Sequence, residues 1–420
     1  MWRNSLTLLG LWALFAIGCE QKGGGTAPST STGAAADKSG GAAPADTHAA
    51  TPAAPAAAPL TQGAADSDVV LFGEVGSLTG PEASFGISTR NGIELAVNQA
   101  NAAGGIRGKK IAVRVYDDQS KPEEAANAAT RLVNQDRVKV ILGEVASSNS
   151  LAMAPKAQEG HVPMISPSST NPKVTQVGDY IFRVCFIDPF QGFVMAKFAR
   201  ENLKINRVAV LKDQKSDYSL GLTEFFTRKF TEMGGKILTT EAYAKGDSDF
   251  RAQLTAIKAQ KPEAIYVPGY YNDVGIVARQ ARELGIPKKV PLLGGDGWQS
   301  YKLFELGGSA IQGSYLSDHY SPDNPAPVVQ KFIAEYKAAY GSVPDSLAGL
   351  GYDSARVAIA AMQRAPDLSG PTVRNAIAQT KDFPGVTGTI SLDENRNAVK
   401  PAVVLEVGDG TMKYITTTSP

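Results

Sequence analysis

Short apolar runs alternate with amphipathic helical patterns through most of this sequence, beginning at Val69 and starting again after Pro189. Strands that alternate with helices are typical of parallel sheets covered by helices. The runs are too numerous for one small sheet, and no stretch rich in Pro, Gly and Ser separates them. We therefore predict an α/β fold with two lobes, joined by short ordered crossings that form a hinge beside a cleft.

Two neighbouring strands of this pattern, Val138–Leu142 and Val162–Ile165, are each followed by a hydroxyl-rich turn. The turns are Ala146–Ser148 after the first strand and Ser166–Thr170 after the second. Open α/β sheets bind ligands at the carboxyl ends of their strands, where hydroxyls and free N–H groups can hold an anion such as a carboxylate. The alternative is that these residues only cap helices and stabilise turns.

The composition argues against several classes of protein. The 42 Lys and Arg residues balance the 41 Asp and Glu residues, which gives no general attraction to nucleic acid or anionic membranes. Three histidines and two cysteines are too few and too scattered for a Cys/His metal site, and we predict no metal or other cofactor. Cys185 lies in an apolar run, where we expect a buried, inert thiol.

An enzyme on the same scaffold is the competing class. The sequence contains no Gly-x-Ser-x-Gly elbow, no phosphate-binding loop and no dinucleotide fingerprint. His161 begins a strand, at the edge opposite the hydroxyl-rich turns, and His319 is isolated in the sequence. The pair Asp117-Asp118 follows a strand with no histidine nearby, so we interpret it as a solvated turn and not as an acid–base pair. A hydrolase remains the weaker alternative.

The N-terminus has the pattern of a secretion signal. Within residues 1–18, Arg3 precedes the apolar run Leu6–Ile17, which is too short to span a bilayer comfortably. The small residues before Cys19 resemble the lipoprotein signal box and predict lipidation of that cysteine, whereas an ordinary signal with an incidental cysteine is the alternative. Residues 19–67 are rich in Ala, Pro, Gly, Ser and Thr, and we predict a disordered tether.

Three motifs, together with the serine-rich turns, resemble the periplasmic solute-binding proteins for branched-chain amino acids of ABC importers. The resemblance covers about residues 69–408 and implies a type I periplasmic binding fold, in which two doubly wound parallel-sheet lobes are joined by three hinge crossings. The motifs are Gly104–Lys109 with Val115–Asp118, Phe182-Arg183 leading into Asp188–Gly192, and Gly269–Asn272 with Arg279–Arg282.

The same resemblance implies the extent of each lobe. Lobe 1 would comprise residues 69–186 and 319–402, and lobe 2 would comprise residues 187–318 and 403–420. The crossings are expected near Val184–Ile187, Leu316–His319 and Pro401–Val404.

The resemblance also assigns polar ligand contacts. Ser147 and Thr170 match the residues that hold the ligand carboxylate, with Ala146 in the same turn and Ser168 contributing backbone groups. Asp296 matches the acidic residue that accepts hydrogen bonds from the ligand ammonium, a position where Glu is common. The alternative for Asp296 is a Gly-Asp-Gly turn with no further role.

Aromatic residues complete the expected site. Tyr218 and Tyr270 match tyrosines of lobe 2 that close over the ligand, and each offers an apolar face with one hydroxyl. Phe85 and Trp298 could form the wall of a side-chain pocket. For all four, packing in the core is the alternative.

These observations predict an extracytoplasmic, membrane-anchored lipoprotein that captures a branched-chain or other apolar amino acid by lobe closure. We expect a monomer that delivers this ligand to an ABC permease, contacts the membrane only through the lipid on Cys19, binds no nucleic acid and is not an enzyme. A ligand sensor of the same fold, which would signal to a receptor without transport, is the alternative.

Overall fold

The computed structural model describes residues 69–420. The predicted signal peptide, the lipidation site at Cys19 and the predicted tether lie outside the described residues. No helix within residues 69–420 is both long and apolar enough to cross a membrane.

The first sheet contains five parallel strands, of which the three central ones are almost completely buried. Burial on both faces explains why their sequences are continuous apolar runs. In the order β2-β1-β3-β4-β5, the strands are β1 Val69–Gly76, β2 Lys110–Asp117, β3 Ile141–Leu142, β4 Met164–Ser166 and β5 Ile181–Arg183. The intervening helices are α1 Ala83–Ala102, α2 Pro122–Arg131, which continues as a π-helical turn to Asp136, α3 Ser147–Glu159 and α4 Lys173–Gln176.

The second sheet begins with five parallel strands in the order β10-β9-β8-β6-β7. They are β6 Arg207–Asp213, β7 Lys236–Tyr243, β8 Ala264–Tyr266, β9 Leu292–Gly294 and β10 Tyr315–Asp318. The helices are α5 Asp188–Lys197, α6 Asp217–Glu232, α7 Arg251–Ala259, α8 Tyr271–Glu283 and α9 Lys302–Gly307.

Helix α5 was not predicted as a helix. Pro189 lies at its first positions, where proline is tolerated because the missing N–H group has no partner in a helix anyway. The chain therefore leaves the first sheet at β5 and enters the second sheet through a buried helix.

After β10 the chain returns to the first sheet. Helix α11 packs along α1, and glycines at the contact allow a very close approach of the two backbones: a β-carbon on Gly92 would lie 2.0 Å from the carbonyl oxygen of Ala348. The returning helices are α10 Pro327–Tyr340, α11 Ser346–Arg364 and α12 Gly370–Ala378, followed by a small antiparallel sheet of β11 Phe383–Gly385, β12 Gly388–Leu392 and β13 Ala398–Val399.

The chain ends in the second sheet, and here the strands are not parallel. Strand β14, Ala402–Val407, pairs antiparallel with β10, and β15, Met412–Thr418, pairs antiparallel with β14. The second sheet is therefore mixed: its five parallel strands carry two antiparallel strands at one edge. An antiparallel edge needs only a short connection, and the turn between β14 and β15 is short enough for this pairing.

Candidate functional site

The turn after β3 leads directly into α3, which begins at Ser147 and not at Ser150, the start predicted from the sequence. Ala146 precedes the helix with an extended backbone, and no side chain caps the helix start. The first N–H groups of a helix have no intrahelical partner, and the helix dipole favours negative charge near them. The start of α3 can therefore receive an anion through backbone groups.

Three serine hydroxyls in or beside the two turns have structural partners instead of being available to a ligand. Ser150 and Ser166 donate hydrogen bonds to the carbonyl oxygen of Glu144, at 2.9 and 2.7 Å. Ser169 donates to the carbonyl oxygen of Val145 at 2.9 Å. These bonds join the loop after β3 to the loop after β4, so much of the serine content of this region serves to hold the two loops together.

A buried guanidinium group fixes the second turn. Arg183 donates to the carbonyl oxygen of Ser169 at 2.5 Å, to that of Asn171 at 2.8 Å and to the hydroxyl of Thr175 at 3.3 Å. Its side chain is completely buried, and this burial lowers the pKa of Arg183. Arg183 thus explains one sequence motif in physical terms, because it holds the backbone of the turn that carries Ser168 and Thr170.

A small cavity lies between these turns and the strand ends of the second sheet. Its volume is about 10 Å³, the space of a single water molecule. One carboxylate, one serine and two phenols face apolar side chains around it. The lining residues are Phe85, Val145, Ser168, Tyr218, Tyr270, Asp296, Gly297 and Leu347, which include five of the nine residues predicted to bind ligand.

Of three larger cavities among the described residues, one of about 310 Å³ lies between α1 and α11, and the remaining two are bounded by residues of the second sheet. One, of about 340 Å³, is bounded by residues 319–325, 386–388 and the C-terminal strands. The other, of about 870 Å³, lies at the amino-terminal ends of the strands of the second sheet. Ligands of open α/β sheets bind at the opposite, carboxyl ends. Among the cavities described, the small one is lined by strand-end loops of both sheets, through Ser168 after β4 and Asp296 after β9. Its position therefore favours it as the ligand site, despite its size.

The carboxylate of Asp296 is held by three donors. Oδ1 accepts hydrogen bonds from Gln191 Nε2 at 2.8 Å and from the Tyr218 hydroxyl at 3.0 Å. Oδ2 lies 3.0 Å from Nε2 of His319. The Tyr218 hydroxyl in turn accepts from the backbone N–H of Gly297 at 3.1 Å, and burial raises the pKa of this tyrosine well above 10. The side chain of Asp296 is thus held in a fixed orientation at the cavity wall.

Sequence reasoning missed two of these three partners. His319 is isolated in the sequence and no partner was predicted for it, whereas its buried side chain contacts Asp296 in the structure. Gln191 belongs to a quoted motif, but no role was assigned to it. Within residues 69–420, the His319 imidazole forms a hydrogen bond with Asp296 and with no serine hydroxyl. The described residues therefore contain no Ser–His pair at this position.

The aromatic predictions separate into two groups. Tyr270 stacks on Tyr218 with ring centroids 5.1 Å apart and meets Phe85 edge-on at 5.4 Å, so all three rings form one wall of the cavity. Trp298 is completely buried, its indole N–H donates to the carbonyl oxygen of Val267 at 3.0 Å, and it does not line the cavity. The structure therefore places Trp298 in the core beneath the site.

Three predicted residues lie on the turns but do not line the cavity. Ser147 is buried and its hydroxyl accepts a hydrogen bond from the N–H of Asn171 at 3.4 Å. Thr170 is completely buried, and its carbonyl oxygen accepts from the N–H of Asp188 at 3.0 Å. Ala146 is also buried. Their contact with a ligand, like that of Ser168, stays a prediction.

The interpretation of Asp117-Asp118 as a solvated turn is wrong for its second member. Asp118 is completely buried and accepts hydrogen bonds from the Ser77 hydroxyl at 2.7 Å and from Asn149 Nδ2 at 3.0 Å. Burial raises the pKa of Asp118. Glu144, which accepts from the Ser77 N–H at 3.2 Å, has its pKa raised well above the usual range by burial and by the nearby Asp118. Through these hydrogen bonds, Asp118 and Glu144 connect the loops that follow β1, β2 and β3.

Direct bonds join the two sides of the cleft. The Ser148 hydroxyl donates to the Asp217 carboxylate at 2.9 Å, and Asn171 Nδ2 donates to the carbonyl oxygen of Asp217 at 2.7 Å. Lys245, after β7, forms an ion pair with Glu82, before α1, with Nζ and Oε1 2.6 Å apart. Together with the small volume of the cavity, these contacts describe a closed cleft.

The profile of the periplasmic binding protein family matches residues 69–411. A relative from Brucella melitensis, Leu/Ile/Val-binding protein homolog 3, is 30% identical over 343 residues, which cover 81% of this chain and 91% of the relative. BraC3 of Rhizobium johnstonii, a Leu/Ile/Val-binding protein, is 29% identical over 331 residues, which cover 77% of this chain and 88% of the relative.

Solved structures show the same similarity. The leucine-binding protein LivK of Thermotoga maritima is 40% identical, with a TM-score of 0.80 over 84% of this chain and 99% of that protein. LivJ of Streptococcus pneumoniae, solved with isoleucine, is 33% identical, with a TM-score of 0.79 over 84% and 100%. A solute-binding protein of Rhodopseudomonas palustris, solved with 3,4-dihydroxybenzoic acid, is 27% identical, with a TM-score of 0.75 over 84% and 98%.

The family match and the structural similarity confirm the predicted fold class. Membership in this family also implies an extracytoplasmic location. The protein therefore belongs to the family of periplasmic binding proteins.

Proposed function

We propose that this protein captures an amino acid with an apolar side chain, in the first instance Leu, Ile or Val, in the cavity at Asp296, and delivers it to an ABC permease. One observation carries the proposal: a fixed carboxylate lies across the cavity from the turn of Ser168, and the remaining lining is aromatic or aliphatic. This arrangement complements a zwitterion that carries an apolar side chain.

Each part of such a ligand has a complementary group. The ammonium would donate to Asp296, whose Oδ2 accepts one bond among the described residues and keeps a second acceptor position. The ligand carboxylate would lie at the start of α3 and the turn of Ser168, near the predicted Ser147 and Thr170. The side chain would contact Val145 and Leu347, together with the aromatic wall. The names of the Leu/Ile/Val-binding relatives support this choice of ligand.

Binding would proceed by opening and closure of the cleft. A cavity of about 10 Å³ cannot admit an amino acid unless the two sides separate. The proposed moving bodies are residues 69–186 with 319–402 and residues 187–318 with 403–420. The proposed boundaries lie between β5 and α5, directly after β10, and after the first residue of β14, close to where the chain passes from one sheet to the other. Closure removes water from the charged groups, which strengthens their pairing with the ligand.

The proposals that the protein is anchored to the membrane and that it delivers its ligand to a permease are based on the sequence. Lipidation of Cys19 would hold a monomer at the membrane surface near its permease, and a Cys19→Ala variant should be released into the soluble fraction. Continued membrane retention of that variant would contradict the anchor. A chromosomal deletion should abolish uptake of the radiolabelled ligand, whereas unchanged uptake with a lost behavioural or transcriptional response would favour the sensor.

Calorimetric titration after a thermal-shift screen tests the ligand. The screen should contain the proteinogenic amino acids and aromatic carboxylates, because an aromatic acid leaves Asp296 without a cationic partner. We expect apolar amino acids to raise the melting temperature, and Asp296→Ala to weaken their binding by at least tenfold, since a charged hydrogen bond contributes about 1.5–3 kcal/mol. The exposed Asp249→Ala is the matched control.

Two outcomes would contradict the proposal. Unchanged affinity in Asp296→Ala would remove this residue from the site. A ligand recovered in chemically altered form after incubation would restore the enzyme interpretation.

A further inference from the structure

The second passage between the sheets begins at His319, directly after β10. The side chain of His319 is completely buried, and its Nε2 lies 3.0 Å from Oδ2 of Asp296. An ionised carboxylate only accepts hydrogen bonds, so the ring nitrogen that faces it carries the proton. Burial lowers the pKa of His319 to about 4, against the opposing effect of Asp296, and the imidazole is therefore a neutral N–H donor at neutral pH.

Residues of the first and third passages between the sheets act on this imidazole, which itself belongs to the second passage. Phe186, in the first passage, stacks on the ring with centroids 3.6 Å apart and planes 26° apart. Lys400 begins the third passage, is buried, and adds a positive charge that disfavours protonation of His319. Nδ1 of His319 makes no hydrogen bond within residues 69–420. The ring orientation therefore depends on the stack with Phe186 and on the bond to Asp296.

The two oxygens of Asp296 have different supports. Oδ1 is held by Gln191 and Tyr218, which belong to α5 and α6 of the second sheet. Oδ2 receives its hydrogen bond from His319, which lies where the chain leaves that sheet. Residues at such passages absorb the backbone changes of a hinge motion. Opening of the cleft would thus disturb the support of Oδ2 and leave that of Oδ1 in place.

We propose that His319 is a positioning residue that orients Oδ2 of Asp296 toward the ligand ammonium when the cleft is closed. Through it, the arrangement of the three passages determines whether the ammonium acceptor is in its binding orientation. This inference rests on the proposed function, because it concerns the same ligand site. A histidine that only fills the core would support the fold without acting on the ammonium.

Two substitutions distinguish the effect of the N–H donor of His319 from the effect of its aromatic ring. His319→Phe keeps an aromatic ring against Phe186 and removes the donor, whereas His319→Gln places an N–H donor at the distance of Nε2. Tyr320→Phe is the matched control, because Tyr320 is the next residue of the same passage, is equally buried and makes no contact with Asp296 through its hydroxyl. Melting temperatures establish that each variant is folded.

The ligands are leucine and 2-hydroxy-4-methylpentanoate, which has a hydroxyl in place of the ammonium. Ligand-observed NMR titration measures both, since it extends to millimolar dissociation constants. We expect His319→Phe to weaken leucine binding about tenfold to a hundredfold, the loss of one hydrogen bond to a charged group, and to change hydroxy-acid binding less than threefold. His319→Gln should recover most of the leucine affinity, and Tyr320→Phe should match the wild type.

Equal losses for both ligands, or unchanged leucine affinity in His319→Phe, would overturn the inference. So would a folded His319→Gln variant that binds leucine no better than His319→Phe. If the wild-type protein binds none of the amino acids, the proposed function fails as well, and this result is distinct from a failure of the His319 variants alone.

Discussion

The ion pair between Lys245 and Glu82 should stabilise the closed cleft more than the fold. Glu82 is 1% exposed and Lys245 is 34% exposed, and Nζ also donates to the carbonyl oxygen of Ser120 at 2.9 Å. Burial raises the pKa of Glu82, and Lys245 opposes this shift. Lys245→Met keeps the length of the side chain and removes the charge, which leaves the Glu82 carboxylate buried near Asp118.

The size of the effect follows from the burial of the two partners. Removing one partner of a fully buried pair costs about 3–5 kcal/mol, and an exposed pair contributes about 0–1 kcal/mol. Because Lys245 is one-third exposed, we expect a loss of about 2 kcal/mol. Lys245 and Glu82 lie on opposite sides of the cleft, so this loss should shift the closed–open equilibrium roughly thirtyfold toward the open form.

Small-angle X-ray scattering and calorimetric titration would measure this shift. Lys245→Met should have a larger radius of gyration without ligand and a weaker apparent affinity, with a melting temperature close to that of the wild type. Adding Glu82→Gln should recover part of the affinity, because it removes the buried unpaired charge. An unchanged radius and affinity in Lys245→Met would refute the reasoning, as would a fall in melting temperature with no opening.

Two further predictions concern the fold. Burial raises the pKa of Glu74 to about 8. Between about pH 4.5 and 8 the folded state therefore binds more protons than the unfolded state. The free energy of unfolding falls as the pH rises through that window, because the stability contributed by protonated Glu74 is lost. Glu74→Gln should therefore be more stable than the wild type by about 2–4 kcal/mol at pH 8, with little difference near pH 4.5, and parallel pH profiles in urea unfolding would contradict this. Gly92→Ala places a β-carbon 2.0 Å from the carbonyl oxygen of Ala348 and should cost about 1–3 kcal/mol. At Gly408 a β-carbon would approach no atom closer than 3.4 Å, so equal effects in Gly92→Ala and Gly408→Ala would refute the steric argument.

The local patterns of the sequence predicted most of the secondary structure. Helix α10 has the predicted bounds, and β1 differs by one residue. The main failures are α5, which begins with Asp188-Pro189, and the antiparallel strand β15. Both depend on tertiary partners: α5 packs against α6, and β15 lies at the edge of the second sheet through β14, which pairs with the distant strand β10.

The site could be predicted in part. The resemblance to known binding proteins brought together Asp296, Tyr218 and Tyr270, which do line one cavity. It did not distinguish Trp298, which the packing of the second sheet places in the core, and no motif marked His319 as a partner of Asp296. Aromatic residues suit a core and a binding site equally well, so sequence alone cannot decide between the two.

The sequence by itself determined the alternation of strands and helices, the hydroxyl-rich turns at the strand ends and the family. These features are local, because apolar periodicity and turn chemistry act over a few residues. The tertiary structure decided which polar groups are buried and what they contact. Asp296 meets groups that lie 105, 78 and 23 residues away in the chain, in Gln191, Tyr218 and His319. A buried carboxylate is stable only with such partners, and only the packing of distant elements can supply them.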